Sequence, residues 1–209
     1  MPRVDFPLYL VTDRRRTDGR ALVSLVAQAA AGGLRAVQVR ERDLATRDLL
    51  ALAQDLCATM RAQGGRTMIN DRLDLVLALG ADGVHLRADS LPVAAARRLL
   101  GPDRLIGVST HSPDEVVRAE SEGADFAVLG PIYDMPSKRA FGPPLGLRAL
   151  EEASRRGRLP VFAIGGITVA RVAEVKRAGA YGAAVVSAIL SAASVESATR
   201  QFLDALGRA

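Results

Sequence analysis

The chain has 209 residues, 49% of them hydrophobic and 24% charged, which fits one soluble folded unit with a full core. Its formal charge is +5 at pH 7, yet aromatic residues make up 4% and tryptophan is absent. Without a dense basic run or an aromatic platform, no nucleic-acid partner is expected, and the basicity offers a mild attraction for anionic small molecules.

No apolar stretch approaches about 18 residues, so no membrane span is expected. The opening MPRVDFPLYLVTD is broken too early by Pro and Asp for a secretion signal, so the cytoplasm is the expected compartment. A single cysteine, Cys57, rules out an internal disulfide and reads as a small core residue. The sequence leaves assembly into a homo-oligomer open.

Eight short apolar runs follow one another: Leu8–Asp13, Ala36–Glu41, Thr67–Arg72, Gly83–Arg87, Leu105–His111, Phe126–Pro131, Val161–Gly166 and Gly182–Ser187. The segments between them are rich in Ala, Leu, Arg and Glu and long enough for helices. One over 47–63 shows an apolar stripe of Leu49, Leu50, Leu52, Ala53, Leu56 and Cys57, and another over 112–122 opens on Ser-Pro-Asp-Glu. Strand and helix alternating over this length predict an α/β protein, a single (β/α)8 TIM barrel spanning residues 1–209. An open doubly wound sheet is the alternative, but the count is eight and no G-x-G-x-x-G follows the first strand. Glycines recur before several strands, as in Gly80-Ala81-Asp82-Gly83 and Gly123-Ala124-Asp125. They read as helix ends on the barrel's stability face.

In a barrel the chemistry belongs to the strand ends. After the second strand, alternation predicts Gln38, Arg40 and Arg42 on one inward face, where two cations and an amide call for an anion. Arg40 paired with Glu41 or Asp71 is the structural alternative. After the third strand stand Asn70, able to donate to an anion, and Asp71, a hard oxygen ligand suited to Mg2+. An Asx-turn opening the next helix would explain the same pair. The fourth strand gives His85, expected to be a satisfied core residue, then Asp89, either a second metal ligand or a helix cap with Ser90. The fifth gives Ser109, whose hydroxyl suits a ligand contact, and Ser112, suited to a helix cap.

The loop from Gly130 to Gly146 is long enough to be functional, and it holds Ser137 and Lys138, the latter one of only two lysines. Gly165 and Gly166 after the seventh strand, with Val186 and Ser187 after the eighth, would let backbone N–H groups approach an anion. Helices starting at Thr168 or Ser187 would add their positive ends.

In this order, Gln38-x-Arg40-Glu41, Asn70-Asp71, Gly83-x-His85-Leu86, Gly107-x-Ser109-x-His111, Gly130-Pro131-Ile132, Ser137-Lys138, Ile164-Gly165-Gly166-Ile167 and Val186-Ser187 resemble the thiamine phosphate synthase and thiazole tautomerase superfamily over residues 7–205. The resemblance implies a transferase of thiamine biosynthesis. It would condense 4-amino-5-hydroxymethyl-2-methylpyrimidine diphosphate with thiazole phosphate and release pyrophosphate. It assigns Gln38, Arg40, Asn70 and Lys138 to the pyrimidine diphosphate, with Lys138 and Arg40 catalytic, and Ser109 to the pyrophosphate or pyrimidine. Arg42 and Ser137 are further candidate substrate-binding residues. Gly165, Gly166, Val186 and Ser187 fall to the thiazole phosphate. Mg2+ would be held by Asp71, with Asp89 as the acid nearest the family's second ligand position, which is Ser90 here. The superfamily carries a lysine at Arg42 and a threonine at Met135, and its tautomerase branch carries a catalytic histidine at Pro131. A thiazole phosphate tautomerase and a non-catalytic thiazole or thiamine phosphate binder are the alternative functions.

Overall fold

Strands of four to six residues, built largely from Val, Leu, Ile and Ala, alternate with helices along the chain. The computed structural model describes residues 4–134 and 142–208. The strands are β1 (Leu8–Val11), β2 (Ala36–Val39), β3 (Arg66–Asn70), β4 (Gly83–Leu86), β5 (Leu105–Thr110), β6 (Phe126–Leu129), β7 (Val161–Ile164) and β8 (Gly182–Val185). The helices are α1 (Leu22–Ala31), α2 (Thr46–Ala62), α3 (Leu73–Leu79), α4 (Val93–Leu100), α5 (Pro113–Ser121), α6 (Gly146–Arg156), α7 (Val172–Arg177), α8 (Ser187–Leu190) and α9 (Val195–Arg208). Each strand pairs in parallel with the next and β8 closes onto β1, so the sheet is a barrel and the open-sheet alternative is excluded.

Two apolar layers hold it together. The outer one lies between strands and helices, and Cys57 is buried there beside Leu56 and Met60. The inner one fills the barrel. Phe6, Tyr9, Phe126 and Phe162 form a mutual cluster with ring centroids 5.4–6.0 Å apart. Half of the chain's five Phe and three Tyr are thus spent in one place. On β5, a side chain at Gly107 would meet the Phe126 ring at 2.3 Å, so glycine makes room for the aromatic.

The aspartates of the recurring glycine motif work on the opposite, stability face. Asp82 accepts the N–H of Thr67 at 2.8 Å, and Asp125 accepts that of Ile106 at 2.7 Å while holding Arg97 at 2.5 Å. Each carboxylate ties the start of one strand to the strand that follows. Ser112 caps α5 by accepting from Glu115 N–H at 3.2 Å, as its position implied.

Phe162→Ala removes a ring that touches three other rings of the inner cluster. It should lower the unfolding free energy in urea by about 3–5 kcal/mol. A loss under about 1 kcal/mol would mean that the interior re-forms without it.

Candidate active site

Alternation along each strand decides what reaches the carboxyl-end mouth. Ala36, Met68 and Leu105 lie in the inner cluster, so Gln38, Asn70 and Ser109, two or four residues on, continue the same inward rows. Gln38 is buried and donates its Nε2 hydrogen to Asn70 Oδ1 at 2.9 Å. That bond leaves a Gln38 oxygen as an acceptor and the Asn70 amide as a donor.

Arg40 is the first residue beyond β2, and its backbone N–H donates to the buried Thr12 hydroxyl at 2.9 Å. Its guanidinium is half-buried, and its pKa is lowered by that burial first and by the Arg42 charge second. The proposed structural pairings do not form. Glu41 instead accepts Arg14 N–H at 3.1 and 3.2 Å and its guanidinium at 3.3 Å, while Asp71 is taken by Arg87. Among the described residues no ion pair within 4.0 Å engages Arg40. Arg42 departs from the expected inward row: β2 ends at Val39, the chain turns, and Arg42 is exposed. Its charge still acts on the mouth from there.

Asp71 has a left-handed backbone, φ 58°. Its Oδ1 accepts Arg87 N–H at 3.1 Å and its Oδ2 lies 3.0 Å from Arg87 Nε. It opens no Asx-turn, because α3 follows Arg72 without a side-chain cap. Asp89 is exposed and accepts from the same Arg87 Nε at 2.9 Å, a bond that, ahead of any other influence, lowers its pKa. It does not cap a helix with Ser90 either, since α4 begins after Pro92. The two expected metal ligands therefore converge on one point, and a guanidinium fills it. No cluster of three or more His, Cys, Asp or Glu suited to a metal occurs among the described residues. The carboxylates have the right chemistry for a hard cation, but Mg2+ does not fit between them while Arg87 stands there.

His85 is a core residue, 1% exposed, as expected. The Tyr9 hydroxyl lies 3.4 Å from His85 Nδ1, and Nε2 lies 3.0 Å from Ser109 Oγ. Burial holds the His85 pKa down at about 3 and raises that of Tyr9, so the row is neutral. With Tyr9 donating to Nδ1, Nε2–H donates to Ser109, whose own hydrogen is left to point to a ligand.

Across the mouth, Gly165 and Gly166 have φ of 96° and 69°, and side chains there would meet Pro131 and Tyr133 at 2.6 and 2.8 Å. Arg171 donates to the Gly166 carbonyl at 2.7 Å and lies 4.2 Å over the Tyr133 ring, which fixes this turn. Val186 follows β8, and Ser187 opens α8. The helices expected to lend their dipoles are short: a three-residue 3-10 turn follows Thr168, and α8 has four residues. An anion here would be met by loop N–H groups, not by a macrodipole. Ser137, Lys138 and Met135 lie outside the described residues.

The sequence reading gave no role to Thr12, Arg87 or Arg171. For Arg87 the signal was present: it lies two residues past inward His85. A cavity of about 320 Å³ beside Arg35, Arg66 and Asp82 opens at the opposite end of the barrel, away from all these groups.

The fold is that of a (β/α)8-barrel, and its mouth sets an arginine without an ion pair among the described residues on one side and a glycine-built turn on the other. The family described as thiamine monophosphate synthase matches residues 8–189, and the chain belongs to that family. Thiamine-phosphate synthase from Methanoculleus marisnigri is 45% identical over 204 residues, covering 98% of this chain and 97% of its own. The enzyme of that name from Roseiflexus castenholzii is 44% identical over 197 residues, covering 94% and 86%. Among solved structures, thiamine phosphate pyrophosphorylase from Pyrococcus furiosus superposes with a TM-score of 0.88 at 32% identity, covering 97% of this chain and 96% of its own. A 3-hexulose-6-phosphate synthase, at 18% identity and TM-score 0.72, shares the fold alone.

His85 makes the site's stability depend on pH. Its pKa is about 3 folded and near 6.5 unfolded, so the unfolded chain binds the proton preferentially. The contribution is whole above pH 6.5 and declines as pH falls toward 3, by at most about 1.4 kcal/mol per pH unit. In denaturant titrations at a series of pH values, His85→Asn should show a flatter acid limb than the unsubstituted chain. Parallel limbs would mean that His85 is not buried neutral.

Proposed function

We infer that the chain makes thiamine phosphate from 4-amino-5-hydroxymethyl-2-methylpyrimidine diphosphate and thiazole phosphate. Family membership and relatives of that activity support the reaction. The observation that carries the site assignment is Arg40, a half-buried cation without an ion-pair partner among the described residues and repelled by Arg42. Such a group is disfavoured until an anion arrives.

In the reaction the bond between the pyrimidine methylene carbon and the diphosphate oxygen breaks. The electron pair leaves with pyrophosphate, and the thiazole nitrogen lone pair forms the new C–N bond. Arg40 and Arg42 offset the charge that grows on the leaving group, and Lys138 is assigned the same task on the loop. Gln38, Asn70 and Ser109 orient the pyrimidine diphosphate through the oxygen, amide and hydroxyl that their mutual bonds leave free. Gly165, Gly166, Val186 and Ser187 hold the thiazole phosphate with backbone N–H groups and the Ser187 hydroxyl, so that the nitrogen faces the methylene carbon. Mg2+ enters this proposal as an ion that must displace Arg87 before Asp71 and Asp89 could both ligate it. A cytoplasmic location goes with the phosphorylated substrates. No helix among the described residues is long and apolar enough to cross a membrane.

Purified chain supplied with both substrates should form thiamine phosphate and pyrophosphate in equal amounts. Arg40→Ala should lower that turnover by roughly 10²–10³-fold while leaving thiazole phosphate binding intact. Near-normal turnover in the variant would remove Arg40 from the role. Thiazole phosphate binding without any pyrophosphate release in the unsubstituted chain would instead favour a tautomerase or a silent binder.

A further inference from the structure

We propose that Arg87 is a resident cation that does the bridging work of a divalent ion, joining Asp71 and Asp89 on one side and the substrate diphosphate on the other. The inference rests on reading the mouth as a diphosphate site.

Three observations support it. Arg87 Nε stands 3.0 Å from Asp71 and 2.9 Å from Asp89, at the point that both carboxylates address. An Mg2+ ion would need oxygens at about 2.0–2.1 Å around that same point, so guanidinium and ion exclude each other. Asp71 is the fixed end: its side chain is 19% exposed and its other oxygen is held by the Arg87 backbone N–H at 3.1 Å. Finally, Nη1 and Nη2 of Arg87 make no hydrogen bond among the described residues. The guanidinium thus turns one edge to the carboxylates and keeps four N–H donors for an anion, and a planar fork of this kind matches phosphate oxygens.

The surroundings point the anion there. Arg42 acts electrostatically on both Arg40 and Asp89, and Arg87 acts on Arg40, so three guanidinium groups share this region with Asp71 and Asp89, while Asp13 and Glu41 act on Arg40 in the opposite sense. Arg87 and Asp89 side chains are 37% and 77% exposed, so water screens their pair and leaves the guanidinium free to pivot. Sequence carries the same message: Arg87 follows inward His85 by the two residues that return a side chain to the mouth.

The test uses inorganic pyrophosphate and Mn2+ as probes on the full chain. Calorimetric titration with pyrophosphate in the presence of a chelator should give clear binding, weakened at least tenfold by Arg87→Ala. Arg87→Gln, which keeps most of the stem, should behave alike. Mn2+ binding followed by electron paramagnetic resonance should be weak in the unsubstituted chain and at least tenfold tighter in Arg87→Ala. Asp71→Asn added to that variant should abolish the gain. Metal-free pyrophosphate binding within twofold of normal in both Arg87 variants would overturn the proposal, as would Mn2+ bound equally well with and without Arg87. Should Arg40→Ala abolish pyrophosphate binding while Arg87→Ala leaves it unchanged, the synthase reading stands and this one falls. If the unsubstituted chain binds no pyrophosphate with or without metal, both fall.

Discussion

Closing eight parallel strands on one another leaves no free edge, and it turns every second side chain of every strand toward a common axis. Along most of that axis there is room only for apolar packing, and Phe6, Tyr9, Phe126 and Phe162 take it. The inward rows can become polar only where the strands run out. Gln38, Asn70, His85 and Ser109 mark that transition. Each of the four is bonded to another side chain of an inward row, so the change from apolar core to polar mouth takes place without an orphaned group among them.

Beyond this layer the charges divide into two kinds. Arg40 is half-buried and makes no ion pair among the described residues, so an anion entering beside it would lower its energy. Arg87 is exposed and already paired, so an anion must compete with Asp71 and Asp89 for it. In the proposed synthase the first would supply binding energy and the second a contact that can be exchanged. A product such as pyrophosphate has to leave, and a mouth built only of groups like Arg40 would hold it. On the proposed reading the paired arginine lets charge be met on arrival and reclaimed on departure.

The barrel was legible because alternation and glycine-ended helices repeat through the chain, and eight repeats of a weak signal make a strong one. The same rhythm points to Gln38, Asn70 and Ser109 as inward residues at the strand ends, where the structure has them, with Arg40 one residue past β2. It failed where a strand stopped. Alternation alone carries Arg42 into a row that ends at Val39, and the residue types at Asn70-Asp71 suggest a metal ligand or an Asx-turn but not the left-handed backbone that accompanies the pairing of Asp71 with Arg87. The helix dipoles expected after β7 and β8 depended on helix length, which no residue at Thr168 or Ser187 reports. For Arg87 the spacing from His85 is visible, but its approach to Asp71, 16 residues away, depends on the pairing of β3 with β4.

The two sides of the mouth meet anions by different physics, and the difference suits two substrates that must lie side by side. A diphosphate beside a monophosphate brings like charges into one small space, where repulsion in a partly dry site is severe. On the proposed reading, cationic side chains from the β2 and β4 ends would oppose one of them with full charges. The Gly165-Gly166 turn, pinned by Arg171 and Tyr133, can oppose the other with fixed N–H dipoles that ask for no counter-ion. Were both sides built of arginine, each would compete for either phosphate and the register of nitrogen against carbon would be lost. Unlike means of holding like charges are what give the mouth a direction.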